Sequence, residues 1–301
     1  MNKNIIFRFL TFINERFPLY THLLLIFSFY LGTILLFSKI NPVNNWFNYK
    51  IILGMVNILL IFLQLRVFDE IKDYKTDLVI HPERPLARGL LSLKEAKIIA
   101  FIIILIEIAI SFFISMFSTI FLLFVLIYSL LMYKEFFVKE FLSKRIFLYA
   151  ITHTPITGLI ILYIFSIYHN IIKFNLPTSF LLIIGFFQAI IFEFSRKTLI
   201  LEKEKDKMDT YSKRIGFTKA TLLVLLIFLI TLFFVLYLGI LLKLSLFYLI
   251  CNISYGILYI LITIVFIIIK NKVMMNTFHL LSAFFIVFFN IIAIAEVLWL
   301  K

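Results

Sequence analysis

The chain has one cysteine, Cys251, among 301 residues. That excludes a disulfide framework and a thiolate metal site. Charge is scarce too. Only 15% of residues are Asp, Glu, Lys or Arg, where a soluble domain carries about a quarter. Acids number 16 against 29 bases, which leaves a formal net charge of +13. The 8 glycines form no Gly-rich nucleotide loop or nucleophile elbow, and the 5 histidines join no His/Cys metal cluster. No soluble domain or low-complexity linker interrupts the chain.

What remains is apolar: 63% of residues are hydrophobic and 18% aromatic. Long apolar runs make this an all-α polytopic membrane protein. In that setting the basic balance reflects cytoplasmic loops and anionic lipid, not nucleic acid. The N-terminus does not read as a cleavable signal: charge recurs to Arg16, the first apolar run is long enough to span, and no small-residue cleavage site follows. Residues 1–18 read as an interfacial segment.

Nine spans are expected, near 19–40, 47–68, 95–115, 117–133, 146–167, 178–195, 218–242, 244–269 and 277–299. With the N-terminus inside, 24 of the 29 Lys and Arg fall on the inner side and 5 outside. The positive-inside rule therefore predicts N-in and C-out. The expected product is one multi-pass domain over 1–301, in a bacterial inner membrane, with two polar cytoplasmic caps near 66–97 and 193–219.

The first cap is the most informative stretch. Asp69, Asp73 and Asp77 recur at steps of four, so on a helix they share one face. Such like charges repel unless a cation is shared. Carboxylate oxygens suit Mg²⁺, which joins one or two carboxylates to a substrate phosphate. His81-Pro82-Glu83-Arg84-Pro85-Leu86-Ala87-Arg88-Gly89 follows, and Arg66 precedes. A solvated charged loop accounts for Lys72, Lys75, Lys94 and Lys97. It does not account for acids that begin at a membrane-helix end, where desolvation penalises unpaired carboxylates.

The second cap carries Glu193, Arg196 and Lys197, then an alternating run through Glu202, Glu204 and Asp206, then Asp209 to Gly216 with Tyr211 and Lys213. Glu202 and Asp206 are again four apart. A salt-laced, solvated helix explains the alternation equally well. Taken with the first cap, it reads as the second half of a cation–diphosphate site. The Arg and Lys side chains would meet the remaining diphosphate oxygens.

Asp69-x-x-x-Asp73-x-x-x-Asp77 with Pro82-x-Arg84-Pro85-Leu86-x-x-Gly89 resembles the first signature of the UbiA-type intramembrane prenyltransferases. Asp209-Thr210-Tyr211-Ser212 through Gly216 resembles the end of that superfamily's second aspartate-rich region. The resemblance extends over essentially the whole chain. It implies nine helices around a central cavity, with Mg²⁺ and a prenyl diphosphate donor held under a cytoplasmic cap. A hydrophobic or aromatic acceptor would receive the prenyl group.

On that basis Asp69, Asp73, Asp77 and Arg84 would be catalytic. The metal ligands would be Asp69, Asp73, Asp77, Glu202 and Asp206. Arg66, Arg88, Arg196, Lys197, Tyr211 and Lys213 would bind substrate. Tyr128 and Lys134 resemble a Tyr/Lys pair that many members place near the diphosphate, although an interfacial anchor and a positive-inside lysine explain them as well. The chain also departs from the pattern: family members commonly have Asn at the position of Asp69, and an Asp is often found near Lys197.

Weaker signals lie within the apolar runs. His153, Thr154 and Pro155 fit either a cavity wall or a kink. Glu107, Gln188 and Asn290 fit either function or interhelical hydrogen bonding. Two further classes compete: a transporter or a scaffold that lost its chemistry, and a CDP-alcohol phosphotransferase. A transporter predicts midplane charge and broken helices, whereas charge here concentrates in two caps. The phosphotransferase reading expects glycines and an Ala-Arg pair within the acid ladder, and this ladder has neither.

Overall fold

The computed structural model describes residues 4–42, 48–171, 174–204 and 209–299. A short amphipathic helix, α1 (Ile5–Arg16), precedes α2 (Leu19–Ile40), α3 (Tyr49–Ile80), α4 (Leu93–Ile114) and α5 (Met116–Tyr133). Then come α6 (Lys139–Ser143), α7 (Ile146–His153), α8 (Pro155–Ser166), α9 (Leu176–Arg196) and α10 (Tyr211–Ile215). The last three are α11 (Phe217–Leu241), α12 (Leu246–Ile269) and α13 (Lys272–Trp299). Among the described residues there is no strand, and nine helical segments are long and apolar enough to cross a membrane, with α7 and α8 together making one.

Successive spans pack side by side, and α13 returns to pack along α2, so the nine close into a ring. Gly32 permits that closure. A Cβ there would meet Asn290 Oδ1 at 2.5 Å and its Cα at 2.9 Å, so only a small residue lets the two backbones approach this closely. Outward faces carry exposed Phe101, Phe113, Phe124 and Phe233, the apolar surface a lipid environment requires.

Local chemistry sets the breaks. Ser115 is extended (φ −173°) and accepts a hydrogen bond from Ser118 N, capping α5 where α4 ends. Pro155 cannot donate into a continuing helix and instead begins α8, while Thr154 turns its hydroxyl back to the Ala150 carbonyl at 3.0 Å.

The largest departure from expectation is α3. Hydropathy ends that span near 68, yet the helix runs 32 residues to Ile80. At 1.5 Å per residue it is about 48 Å long, against about 30 Å of hydrocarbon. The acidic ladder is therefore the protruding end of a span and not part of a loop. The helix stops where Pro82 follows, and a turn returns through Gly89 (φ +79°), a left-handed conformation that favours glycine.

Three ion pairs clamp α1 over this end. Arg8 donates to Glu95 at 3.0 and 2.5 Å, Arg88 meets Glu15 at 2.6 Å, and Arg16 meets Glu70 at 2.6 Å. Phe12 and the adjoining Phe17 are buried beneath it.

Candidate active site

Inside the ring lies a cavity of about 790 Å³. Phe62, Arg66, Asp69 and Asp73 of α3 line it, at spacings of four, three and four that keep one helical face inward. The chain thus places an apolar wall and a carboxylate pair on one rigid element. Across from them α9 contributes Gly185, Gln188, Phe192, Glu193 and Arg196, followed by Lys197.

The polar end is densely paired. Lys72, only 8% exposed, donates to Asp69 Oδ1 at 3.2 Å and to the Tyr149 hydroxyl at 2.8 Å. The ammonium groups of Lys72 and Lys197 lie 5.5 and 5.6 Å from the Tyr149 ring centre. His153 stacks on that ring at 4.0 Å and holds Nδ1 2.7 Å from the Tyr149 carbonyl. Its buried Nε2 has no partner among the described residues.

Glu193 accepts from Arg196 Nε at 2.6 Å and pairs with Lys197 at 2.8 Å. Deeper in the wall, buried Glu70 bridges Arg16 at 2.6 Å and Arg66 at 3.6 Å. Burying an ionised carboxylate is costly unless it is paired in this way.

The donor set fits a magnesium ion. Asp73 has no hydrogen-bond or ion-pair partner among the described residues, and Asp69, 53% exposed, has only Lys72. Both carboxylates line the cavity. No group of three or more His, Cys, Asp or Glu able to hold a metal forms among the described residues. Mg²⁺ does not require one, because it takes one or two carboxylates and completes its shell with water and substrate phosphate.

The expected residues divide. Asp69, Asp73, Arg84, Arg66, Arg196 and Lys197 all line the cavity. Asp77 does not. Its side chain is 6% exposed, and Arg84 NH1 donates to its two oxygens at 2.7 and 2.8 Å, so it is neither solvent-facing nor available as drawn from the sequence. Arg88 turns away to Glu15 and to the Glu83 carbonyl.

Tyr128 donates to the Thr152 carbonyl at 2.8 Å and stays outside the cavity, and Lys134 lines a neighbouring groove. In the second cap, Glu202 sits exposed on a short 3-10 turn (Leu201–Lys203). Glu204 is taken by the Thr210 hydroxyl and lies 3.7 Å from Lys213, and Asp209 pairs with Arg214. Lys213 is thus beside Glu204, away from the cavity. Tyr211 is buried against Phe194 and Phe147, and burial holds its phenol above the ordinary value. Asp206 lies outside the described residues.

Sequence reasoning assigned no site role to Lys72, Tyr149, Glu193, Arg16 or Glu70. Lys72 carried a usable signal, since it is three residues from Asp69 on a helix. Glu193 was visible as an acid inside an apolar run. Arg16 and Glu70 meet across 54 positions, a separation that no local pattern reveals.

One wall of the site is strained. Glu135, Phe136 and Phe137 have φ of 49°, 53° and 60°, left-handed values that cost about 1–2 kcal/mol per residue. Phe136 holds the turn by packing edge-on to Tyr128 at 5.6 Å and to His153 at 5.5 Å.

Residues 25–292 match the UbiA prenyltransferase family. No curated protein matches the sequence. Among solved structures, the chain is similar to one described by its work on digeranylgeranylglyceryl phosphate synthase in membranes, with 17% identity, 96% of this chain and 98% of that one covered, and a TM-score of 0.68. A UbiA homologue from Aeropyrum pernix K1, in its apo form, is 15% identical over 89% of this chain and 96% of its own, with a TM-score of 0.66. A homologue from Archaeoglobus fulgidus bound to GPP and Mg²⁺ is 14% identical over the same shares, with a TM-score of 0.55. At these identities the likeness is one of fold.

Proposed function

The chain belongs to the UbiA prenyltransferase family, and from that premise we propose that it transfers a prenyl group from a prenyl diphosphate, with Mg²⁺, to an acceptor nucleophile. One observation carries this reading. A single cavity presents carboxylates and cations at one end and Phe29, Phe62, Ile156 and Phe192 along the rest, the complement of an anionic head on an apolar tail. The Archaeoglobus homologue bound to GPP and Mg²⁺ supports it.

In this reading Asp69 and Asp73 hold the magnesium ion. When bound, it would neutralise charge developing on the leaving diphosphate. Arg66, Lys72, Arg84 and Lys197 line the same end and pair with the remaining diphosphate oxygens. As the bond from prenyl C1 to oxygen breaks, the electron pair leaves with the diphosphate. The acceptor then bonds to C1 and releases its proton. The apolar wall keeps water from the allylic cation, and aromatic rings along it, such as Phe62 and Phe192, stabilise its charge. The excess of Lys and Arg at the mouth supports a cytoplasmic orientation, in what we take to be a bacterial inner membrane.

The test is binding of a non-hydrolysable geranylgeranyl diphosphate analogue to the purified full chain, with and without Mg²⁺. Mg²⁺-dependent binding that Asp73→Asn abolishes is the expected result. No binding at any chain length from geranyl upward overturns it and leaves the fold without the chemistry.

A further inference from the structure

Beside the cavity, between the end of α3, the start of α4 and the turn after α5, lies a second concavity of about 350 Å³. Lys72, Lys75, Lys97, Lys134, Lys139 and Glu135 line it. Lys72 is paired with Asp69, and Lys139 lies 3.5 Å from Glu135. Lys75, Lys97 and Lys134 are exposed and have no carboxylate within ion-pair distance among the described residues. Three uncompensated cations around one concavity repel one another, and a shared anion relieves that repulsion.

The surroundings specify what kind of anion. Lys97 lies one turn into α4, and Phe101 and Leu105 follow at steps of four with 61% and 50% exposure. Residues four apart share a helical face, so an outward apolar track runs from the lysine along the span. That track fits an amphiphile with its head in the groove and its chain in the bilayer. The groove and the cavity also share a wall, because Lys72 and Glu135 line both.

We propose that this groove holds the phosphate head of the acceptor, a phosphorylated amphiphile that lies in the membrane beside the donor. Compact lysine ammoniums suit a phosphate, which they bind as point charges. The assignment to an acceptor rests on the prenyl-transfer reading. The head group binds outside the donor cavity, so donor and amphiphile occupy the protein together.

The experiment uses the full chain in phosphatidylcholine nanodiscs, with lysophosphatidic acid as probe and lysophosphatidylcholine, whose zwitterionic head has no net charge, as its control. Lysophosphatidic acid is expected to bind at least tenfold more tightly than the control. Lys75→Gln with Lys97→Gln should remove that preference while the Mg²⁺-dependent affinity for the geranylgeranyl diphosphate analogue stays within twofold. Both ligands should bind at once.

Equal affinity for the two lipids, or an unchanged preference in the double variant, overturns the proposal. So does displacement of the donor analogue by lysophosphatidic acid, which would make the groove part of the donor site. Competition by inorganic phosphate at equal concentration assigns the groove to a soluble phosphate and overturns the amphiphile. Failure of the wild-type chain to bind the donor analogue defeats the prenyl-transfer reading, and with it the assignment to an acceptor. The lipid comparison then still reads the groove's own selectivity.

Discussion

Arg84 and Asp77 act as one unit: a single guanidinium nitrogen lies 2.7 and 2.8 Å from the two carboxylate oxygens. The pair ties the returning turn to the end of α3 and removes the third acid of the ladder from the cavity. Breaking a largely buried pair from one side leaves an unpaired charge and costs about 3 kcal/mol. Arg84→Ala should therefore lower the unfolding midpoint in detergent. Asp77→Leu combined with Arg84→Met should recover most of the loss, and a double variant no more stable than the single one would show that the pair is not what holds the turn.

Asp69 and Asp73 should behave oppositely. Both line the cavity, and Asp73 has no partner among the described residues. Asp73→Asn is expected to leave the unfolding midpoint unchanged and to weaken Mg²⁺-dependent donor binding by about tenfold or more, a loss of about 1.4 kcal/mol. Calorimetric titration with and without a chelator measures it. Donor affinity that stays chelator-sensitive in Asp69→Asn/Asp73→Asn would remove these carboxylates as ligands.

The second acidic contribution should come from Glu193. Its carboxylate holds Arg196 and Lys197 at the cavity wall, whereas Glu202 sits exposed away from it. Glu193→Gln should reduce turnover at least tenfold, and Glu202→Gln should be silent. The reverse pattern would restore the alternating acidic run as the functional half.

Tyr149→Phe removes the hydroxyl that accepts from Lys72 at 2.8 Å and leaves the ring against His153. A hydrogen bond contributes about 0.5–1.5 kcal/mol, so donor affinity should fall about three- to tenfold with no change in midpoint. An unchanged affinity would mean that Lys72 is positioned by Asp69 alone.

Gly185 lines both the main cavity and a small adjoining void, and a Cβ there would press on Ile161 Cδ1. Gly185→Leu should fill the apolar end. Geranyl-length donors should still bind while geranylgeranyl-length donors lose about tenfold, one unit on the scale where 1.4 kcal/mol is a factor of ten. Equal losses for both lengths would place the donor tail elsewhere.

The nine spans were readable because lipid leaves a compositional imprint on every turn of a membrane helix. Hydropathy reports the membrane's edge and not the helix's end, which is why α3 outlasts its expected boundary at 68 and continues to Ile80. That Asp69 and Asp73 share one helical face could be read from spacing alone. Asp77 has the same spacing but a different fate, since the chain returns seven residues later with Arg84. Lys72 looked like a solvated lysine because its partner, Tyr149, lies 77 positions away. Glu202 and Asp206 drew attention because they repeat, while Glu193 stands alone in an apolar run and carries its basic partners with it on α9.

The packing of α13 along α2 has a consequence for biosynthesis. A chain emerging N-terminus first offers α2 to the bilayer long before its neighbour across the seam has been made. Until the final span is inserted, one flank of the future cavity faces lipid, and Arg16, Glu70 and Arg66 can rely only on one another. A truncation that removes α13 would leave a protein unable to seal its own cavity, however well the earlier spans had inserted.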